Sequence, residues 1–295
     1  MDNRFNSVFR SDLFAGKTIL VTGGGTGIGR CIGHELAALG AEVILSGRRT
    51  EPLEQTAEEI REAGGVAHPC AMNIREQDEV NETVGQLVRD HGPIHGLVNN
   101  AGGQFLSPAA MIKAKGWRAV IDTNLNGTFF VSQAIFQSSM ASHGGTIVNI
   151  VADMWNGFPG MAHTGAARAG VVNLTKTLSI EWASAGVRVN AVAPGVILSS
   201  GMNNYPASVQ KMLKDNLWKN PSSRLGTESE VSASVVFLLS PASAYISGTT
   251  IRVDGASSLQ KEPMFPYIRH DRMTPWDGFH LKADLPEMLR PDSDS

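Results

Sequence analysis

The sequence predicts an α/β fold, a doubly wound parallel sheet with helices on both faces, built as a single domain with a C-terminal tail. Three observations predict it. Short apolar runs alternate with segments of helical period from Lys17 to about Val253. The first apolar run ends in glycines that open directly into a helix. With 42% apolar and 18% charged residues among 295, the composition is that of a globular chain able to bury a sizeable core.

The elements follow in order. "KTILVT" is the first strand, and "GIGRCIGHELAALG" the first helix. In that helix Ile28, Ile32, Leu36 and Leu39 recur at helical spacing and Gly40 closes it. "EVILS", "GVAHPCAM", "IHGLVNN", "GTIVNIV", "VRVNAVAP" and "TTIRVDG" read as further strands. They are nearly continuous apolar runs, as expected of parallel strands covered on both faces. Helical segments separate them; in "HTGAARAGVVNLTKTLSIEWA" one apolar face holds Ala167, Val171, Leu174, Leu178 and Trp182. This alternation implies right-handed crossovers. "SSGMNNYPASVQKMLKDNLWKNPSSRLG" interrupts it before the last helix, and a Pro-, Met- and aromatic-bearing tail follows the last strand.

Several classes are disfavoured. A net charge of −3 points to neither nucleic acid nor an anionic membrane surface. Cys31 and Cys70 form no metal spacing and read as buried small apolar residues, which suits a reducing, cytoplasmic setting. The first residues lack a signal-peptide apolar core, no apolar run approaches a membrane span, and "RPDSDS" is not a peroxisomal address. In the tail, His270, His280, Asp271, Asp277 and Asp284 match no ligand spacing, so no metal site is assigned. Trp117, Phe129, Phe130 and Trp182 read as core or interface.

"VTGGGTGIGR" stands at the first strand–helix turn, so Thr22, Gly23, Gly25, Thr26, Gly27, Ile28 and Gly29 are candidates to cradle a pyrophosphate at a helix N-terminus, as in a Rossmann-type sheet. A tight structural turn is the plainer alternative. The second strand ends "ILSGRR". Where an acidic residue would bind the ribose hydroxyls of NAD stands Gly47, followed by Arg48 and Arg49. Vacant carboxylate and cationic forks suit the 2′-phosphate of NADP(H). Two solvated arginines opening a helix are the alternative.

"TGGGTGIG" (22–29), "NNAG" (99–102), "NLNGTF" (124–129), "GTIVNI" (145–150) and "RVNAVAPG" (188–195) occur in that order. Together they resemble the short-chain dehydrogenase/reductase family from about residue 15 to 257. The resemblance implies an N-terminal segment (1–14), a Rossmann domain (15–257) with a substrate lid at 196–226, and an extension (258–295). It implies that Asn73, Ile74, Asn100, Ala101 and Gly102 line the adenosine side of the cofactor, and Pro194, Gly195 and Ile197 the nicotinamide side. It implies that Asn124 anchors a proton-relay water, and that Arg168 stands as a cation over the nicotinamide ribose. It also implies a homo-oligomer, tetramer or dimer, through the helices of Asn124 and Arg168; the tail itself reads as packing over a neighbouring subunit or over the acyl site.

The catalytic positions depart from the family. The serine pair after "GTIVNI" is Val151 and Ala152, the Tyr position is Thr164 and the Lys position is Arg168. The tyrosines, Tyr205, Tyr245 and Tyr267, lie elsewhere. "NNAGGQFLSPA" and the helix from His163 look like trans-2-enoyl-CoA reductases and 2,4-dienoyl-CoA reductases, which reduce a C=C bond with NADPH; even their substitute acid is missing, because its position is Val172. The chain also resembles bacterial short-chain dehydrogenases of acyclic terpene (citronellol/citronellal) breakdown.

An alcohol dehydrogenase needs a positioned base of tuned pKa. Arg cannot deprotonate and Thr is too weak an acid to stand in for a phenol. Conjugate reduction asks less: the charge moves onto a thioester oxygen that fixed donors stabilise. Proton donors remain open among His163, Asp153, Tyr205 and water, with Thr164 a candidate to hydrogen-bond the substrate or a water. Three readings therefore stand: an NADPH-dependent enoyl-CoA or dienoyl-CoA reductase, an NAD(P)-dependent alcohol or aldehyde dehydrogenase acting on terpenoids, and a cofactor-binding subunit without activity.

Overall fold

Seven strands predicted from apolar runs pair into one parallel sheet in a computed structural model of the protein, which describes residues 4–215, 220–259 and 268–290. They are β1 (Thr18–Thr22), β2 (Glu42–Gly47), β3 (Val66–Ala71), β4 (Ile94–Asn99), β5 (Gly145–Ile150), β6 (Val187–Pro194) and β9 (Thr250–Val253). Two short strands, β7 (Ile197–Leu198) and β8 (Gly226–Thr227), pair separately. The order β3-β2-β1-β4-β5-β6-β9 reverses direction between β1 and β4. A crevice opens at that switch point, outside the carboxyl ends of the strands.

Helices α1 (Gly27–Ala38), α2 (Thr50–Glu62) and α9 (Glu228–Leu239) cover one face. Leu36, Ile60 and Val235 pack there onto Val21, Val43 and Val148. Helices α3 (Gln77–His91), α5 (Gly127–Ile135) and α7 (Ala162–Glu181) cover the other, where Val84, Val131 and Leu178 meet Leu20, Leu97 and Ile147. On α7 the predicted face is buried at Ala167, Val171, Leu178 and Trp182, and Trp182 stacks on Phe136 at 4.3 Å. Helices α4 (Ala114–Ile121), α6 (Ala141–His143) and α8 (Ala207–Asp215) complete the set, with π-helical turns at Asp122–Asn126 and Phe136–Met140.

One expectation needs correction. Cys31 is buried, but Cys70 is half-buried on edge strand β3, where one sheet neighbour is missing. The described part of the tail (268–290) packs in part on its own chain. Phe279 is 8% exposed, with its ring 5.7 Å from Phe5 and 5.0 Å from His34 of α1. Trp276 O accepts from Thr227 Oγ1 at 2.7 Å. The physical reason is the apolar cleft between α1 and the N-terminal segment, which Phe279 fills; burying such a ring is worth about 2–3 kcal/mol. Further along, Asp284 O accepts from Asn203 Nδ2 at 2.8 Å, so the tail also touches the segment before α8. Tyr267 falls outside the described residues. No described helix is long and apolar enough to cross a membrane.

Candidate active site

The glycine loop leaves β1 with Gly23 at φ +66°, a left-handed conformation that favours glycine. A Cβ at Gly29 would strike the Gly23 carbonyl oxygen, so the loop closes only over bare glycine there. Thr22 and Asn100 hold this turn against β4. Thr22 Oγ1 accepts from the N–H groups of Asn100 and Ala101 at 3.1 and 3.0 Å. Asn100 Nδ2 donates to the carbonyls of Thr22 and Gly23 at 3.0 and 3.2 Å. Both side chains thus shape the loop. Helix α1 begins at Gly27 with no side-chain cap from Thr26 and no acidic residue in its first turn. Its first N–H groups are left for an anion, which fits the diphosphate of a dinucleotide.

The cleft continues past Gly23, Gly25 and Thr26 to Ser46, Arg48, Arg49, Asn73, Ile74 and Arg75, and on its other side to Ala101, Gly102 and Thr123. Arg48 and Arg49 are exposed at the head of α2, which has no side-chain cap. Ser46, Arg75 and Thr123 were not foreseen from sequence. Ser46 Oγ and Arg75 Nε are buried without a hydrogen-bond partner, polar groups that a bound ligand is suited to satisfy. Arg75 directly follows Asn73 and Ile74, a neighbourhood that was the available signal.

At the other end, the π-helical turn Asp122–Asn126 turns Asn124 inward, and its side chain is fully buried. Asn124 Oδ1 accepts from Gly103 N at 3.0 Å and Nδ2 donates to Gly103 O at 2.7 Å. A Cβ at Gly102 would strike Arg168 Nη2 and lie 2.7 Å from Asn124 Oδ1. The structure therefore brings Gly102, Gly103, Asn124 and Arg168 together. Arg168, 8% exposed, donates from Nη1 to Ile150 O at 2.6 Å. Among the described residues it makes no ion pair. Burial pulls its pKa down to about 10, so it remains a cation at neutral pH.

The remaining catalytic candidates come from α7 (His163, Thr164), from the segment after β5 (Asp153) and from the segment before α8 (Tyr205). Thr164 is fully buried; its N–H donates to His163 Nδ1 at 2.7 Å and its hydroxyl lies 3.2 Å from the same nitrogen. The His163 ring meets Phe105 edge-on at 4.3 Å, its Nε2 is buried without a partner, and burial lowers its pKa. Asp153 donates its N–H to Pro194 O at 3.3 Å; burial and then Asp254 raise its carboxyl. Tyr205 takes a 2.5 Å hydrogen bond from Gln104 Nε2, joining the segment before α8 to the loop after β4, whereas Tyr245 is fully exposed. Gly195 N donates to Val253 O at 3.0 Å, and Ile197 is buried in the core.

Residues 23–257 match the family described as "Enoyl-(Acyl carrier protein) reductase". The chain is 37% identical over 250 residues to the "Probable 2,4-dienoyl-CoA reductase [(2E)-enoyl-CoA-producing]" of Bacillus subtilis, covering 84% of this chain and 98% of that one. It is 52% identical to the solved citronellol catabolism dehydrogenase of Pseudomonas aeruginosa PAO1, with a TM-score of 0.78, 86% of this chain and all (100%) of that one covered. It is 30% identical, at a TM-score of 0.78, to a gluconate 5-dehydrogenase of Burkholderia cenocepacia J2315 solved with NADP and tartrate, over 85% and 99% of the two chains.

Proposed function

The chain belongs to the short-chain dehydrogenase/reductase family through this enoyl-(acyl carrier protein) reductase match, and from that premise we propose that it reduces a C=C bond conjugated to the thioester of a 2-enoyl- or 2,4-dienoyl-CoA, with NADPH as reductant. The observation that carries this reading is Arg168: a buried cation, anchored on a backbone carbonyl, with no carboxylate partner among the described residues. A buried cation of this kind favours negative charge developing beside it. NADPH supplies the hydride when bound. Arg168 then stabilises the negative charge that moves toward the thioester oxygen, with Asn124 holding the 102–103 turn in register. The carbon is protonated by His163, Asp153 or Tyr205, or by water, with Thr164 hydrogen-bonding the substrate or that water. None of these is required to act as a strong base, which suits a site whose Ser and Tyr positions are Val151 and Thr164.

NADPH is favoured over NADH by Gly47 at the end of β2 and by Arg48, Arg49 and Arg75 around the same cleft. Thr22, Gly23, Gly25, Thr26, Gly27, Ile28 and Gly29 take the diphosphate; Asn73, Ile74, Asn100, Ala101 and Gly102 line the adenosine side, and Pro194, Gly195 and Ile197 the nicotinamide side. Residues 196–226 serve as the lid. The outer faces of α5 and α7, with Ile180 77% exposed, suit assembly into a dimer or tetramer.

A second reading, NAD(P)-dependent oxidation of a terpenoid alcohol or reduction of its aldehyde, is favoured by the 52% identity to the citronellol catabolism dehydrogenase. One panel separates the two. Purified protein with NADPH is offered trans-2-enoyl-CoAs, 2,4-dienoyl-CoAs and citronellal, and with NADP is offered citronellol. Consumption of NADPH with the thioesters supports the first reading. Turnover confined to citronellal and citronellol overturns it in favour of the second, and no turnover with any of them overturns both.

A further inference from the structure

We propose that Glu42, His68 and His91 form a binding site for a divalent transition-metal ion, best fitted to zinc, at the end of the sheet remote from the cleft. Glu42 is the first residue of β2, His68 lies in edge strand β3 opposite Ile44, and His91 is the last residue of α3. No sequence spacing announces them; parallel pairing and the end of a helix bring them together.

One Glu42 oxygen, Oε1, lies 2.8 Å from His91 Nδ1 and 3.0 Å from His68 Nε2. The two imidazole rings are 4.5 Å apart, and a ligand atom from each residue falls within 4.8 Å of the others. Four ligands around zinc, at bonds of about 2.0–2.1 Å, stand roughly 3.3 Å from one another. The two nitrogen–oxygen separations thus need to widen by only a few tenths of an ångström to enclose an ion.

Two features favour an ion over a plain hydrogen-bonded cluster. His91 Nδ1 hydrogen-bonds the shared oxygen, but His68 Nε2, equally near, is not aligned to do so. That nitrogen is buried with no hydrogen-bond partner. Nε2 thus faces the carboxylate oxygen at 3.0 Å without an aligned hydrogen bond. The nearby cation is engaged elsewhere: Arg61 pairs with Glu58 at 2.8 Å and donates to Ala67 O at 3.2 Å.

Two imidazoles and one carboxylate select a borderline-soft ion such as zinc or cobalt over magnesium, with water completing the shell. The ion would tie β2, β3 and α3 together at a sheet edge.

Equilibrium dialysis of the full-length, tag-free, chelator-treated chain against Zn²⁺ or Co²⁺ tests this. We expect saturable binding of one ion per chain, a visible d–d absorption with Co²⁺, no displacement by Mg²⁺, and a melting temperature raised by Zn²⁺. His68→Ala with His91→Ala should abolish the bound equivalent and the thermal shift while leaving NADPH binding unchanged. Glu42→Gln, which keeps a side chain of the same size, should weaken binding at least ten-fold and serves if the double variant does not fold. Failure of the parent chain to bind saturably, or undiminished binding by these variants, overturns the proposal.

Discussion

Asn124 spends both polar atoms of its amide on the backbone of Gly103, accepting at 3.0 Å and donating at 2.7 Å. The residue expected from family resemblance to anchor a relay water is, in its side chain, a clamp on the turn beside Arg168. Asn124→Ala should release the exposed Gly103 backbone from both hydrogen bonds, at about 0.5–1.5 kcal/mol each. With the turn loosened next to Arg168, kcat should fall roughly 10- to 100-fold. NADPH affinity should change much less, since the glycine loop is untouched. Steady-state kinetics with a dienoyl-CoA, beside a fluorescence titration of NADPH, checks the split; an unchanged kcat would remove Asn124 from the site.

Arg168 provides a sharper test of the chemistry. Arg168→Met keeps length and removes charge, and should lower kcat/KM by about 100-fold or more if charge develops at this cation. Arg168→Lys retains a cation but not the planar fork, and should recover part of the loss. If Met and Lys variants are equally active, the cation is structural and the conjugate-reduction reading loses its support.

The seven strands along the chain, the glycine loop and the apolar face of α7 were legible because each rests on local periodicity or on a turn that glycine alone tolerates. Arg48 and Arg49 were legible as neighbours of a strand end. Ser46 and Thr123 were not, because nothing in their own windows distinguishes them, and Arg75 was marked only by following Asn73 and Ile74; the switch point at β1 and β4 gathers them. The inward turn of Asn124 depends on a π-helical turn that the sequence does not signal. The tail's placement depended on a gap between α1 and the N-terminal segment, a tertiary feature without sequence period.

Arg48→Ala tests the cofactor preference. The exposed guanidinium sits in the cleft beside Asn73 and Arg75 with no acidic residue at the end of β2. Loss of one charge-assisted contact, worth about 1.5–3 kcal/mol, should weaken NADPH roughly ten-fold or more and leave NADH within experimental error. Titration of both nucleotides against parent and variant measures the ratio; a ratio that does not move places the 2′-phosphate elsewhere.

Two carboxyls on the α1–α2–α9 face titrate in opposite directions, which makes stability there dependent on pH. Glu59 accepts a bidentate pair from Arg30 at 2.7 and 2.8 Å. Burial raises its pKa, but His34 and Arg30 outweigh burial and hold it at about 2. Its contribution is present above about pH 4.5 and disappears as pH falls toward 2. Glu35, fully buried, takes hydrogen bonds from Ser7 and Ser232 at 2.6 and 2.5 Å, yet burial raises it to about 7. The folded chain therefore keeps a proton that the unfolded chain releases between about pH 4.5 and 7. Stability from this group is full below 4.5 and falls by roughly 3 kcal/mol as pH rises to 7. Glu35→Gln stays neutral at every pH and should melt several degrees above the parent at pH 8. Near pH 5 that gain should vanish. The comparison is made between chains, because His34, lowered by burial, loses stability in the opposite sense as pH falls below its ordinary 6.5. A difference in melting temperature that is the same at pH 5 and pH 8 would show that Glu35 is not the group linking this face to pH.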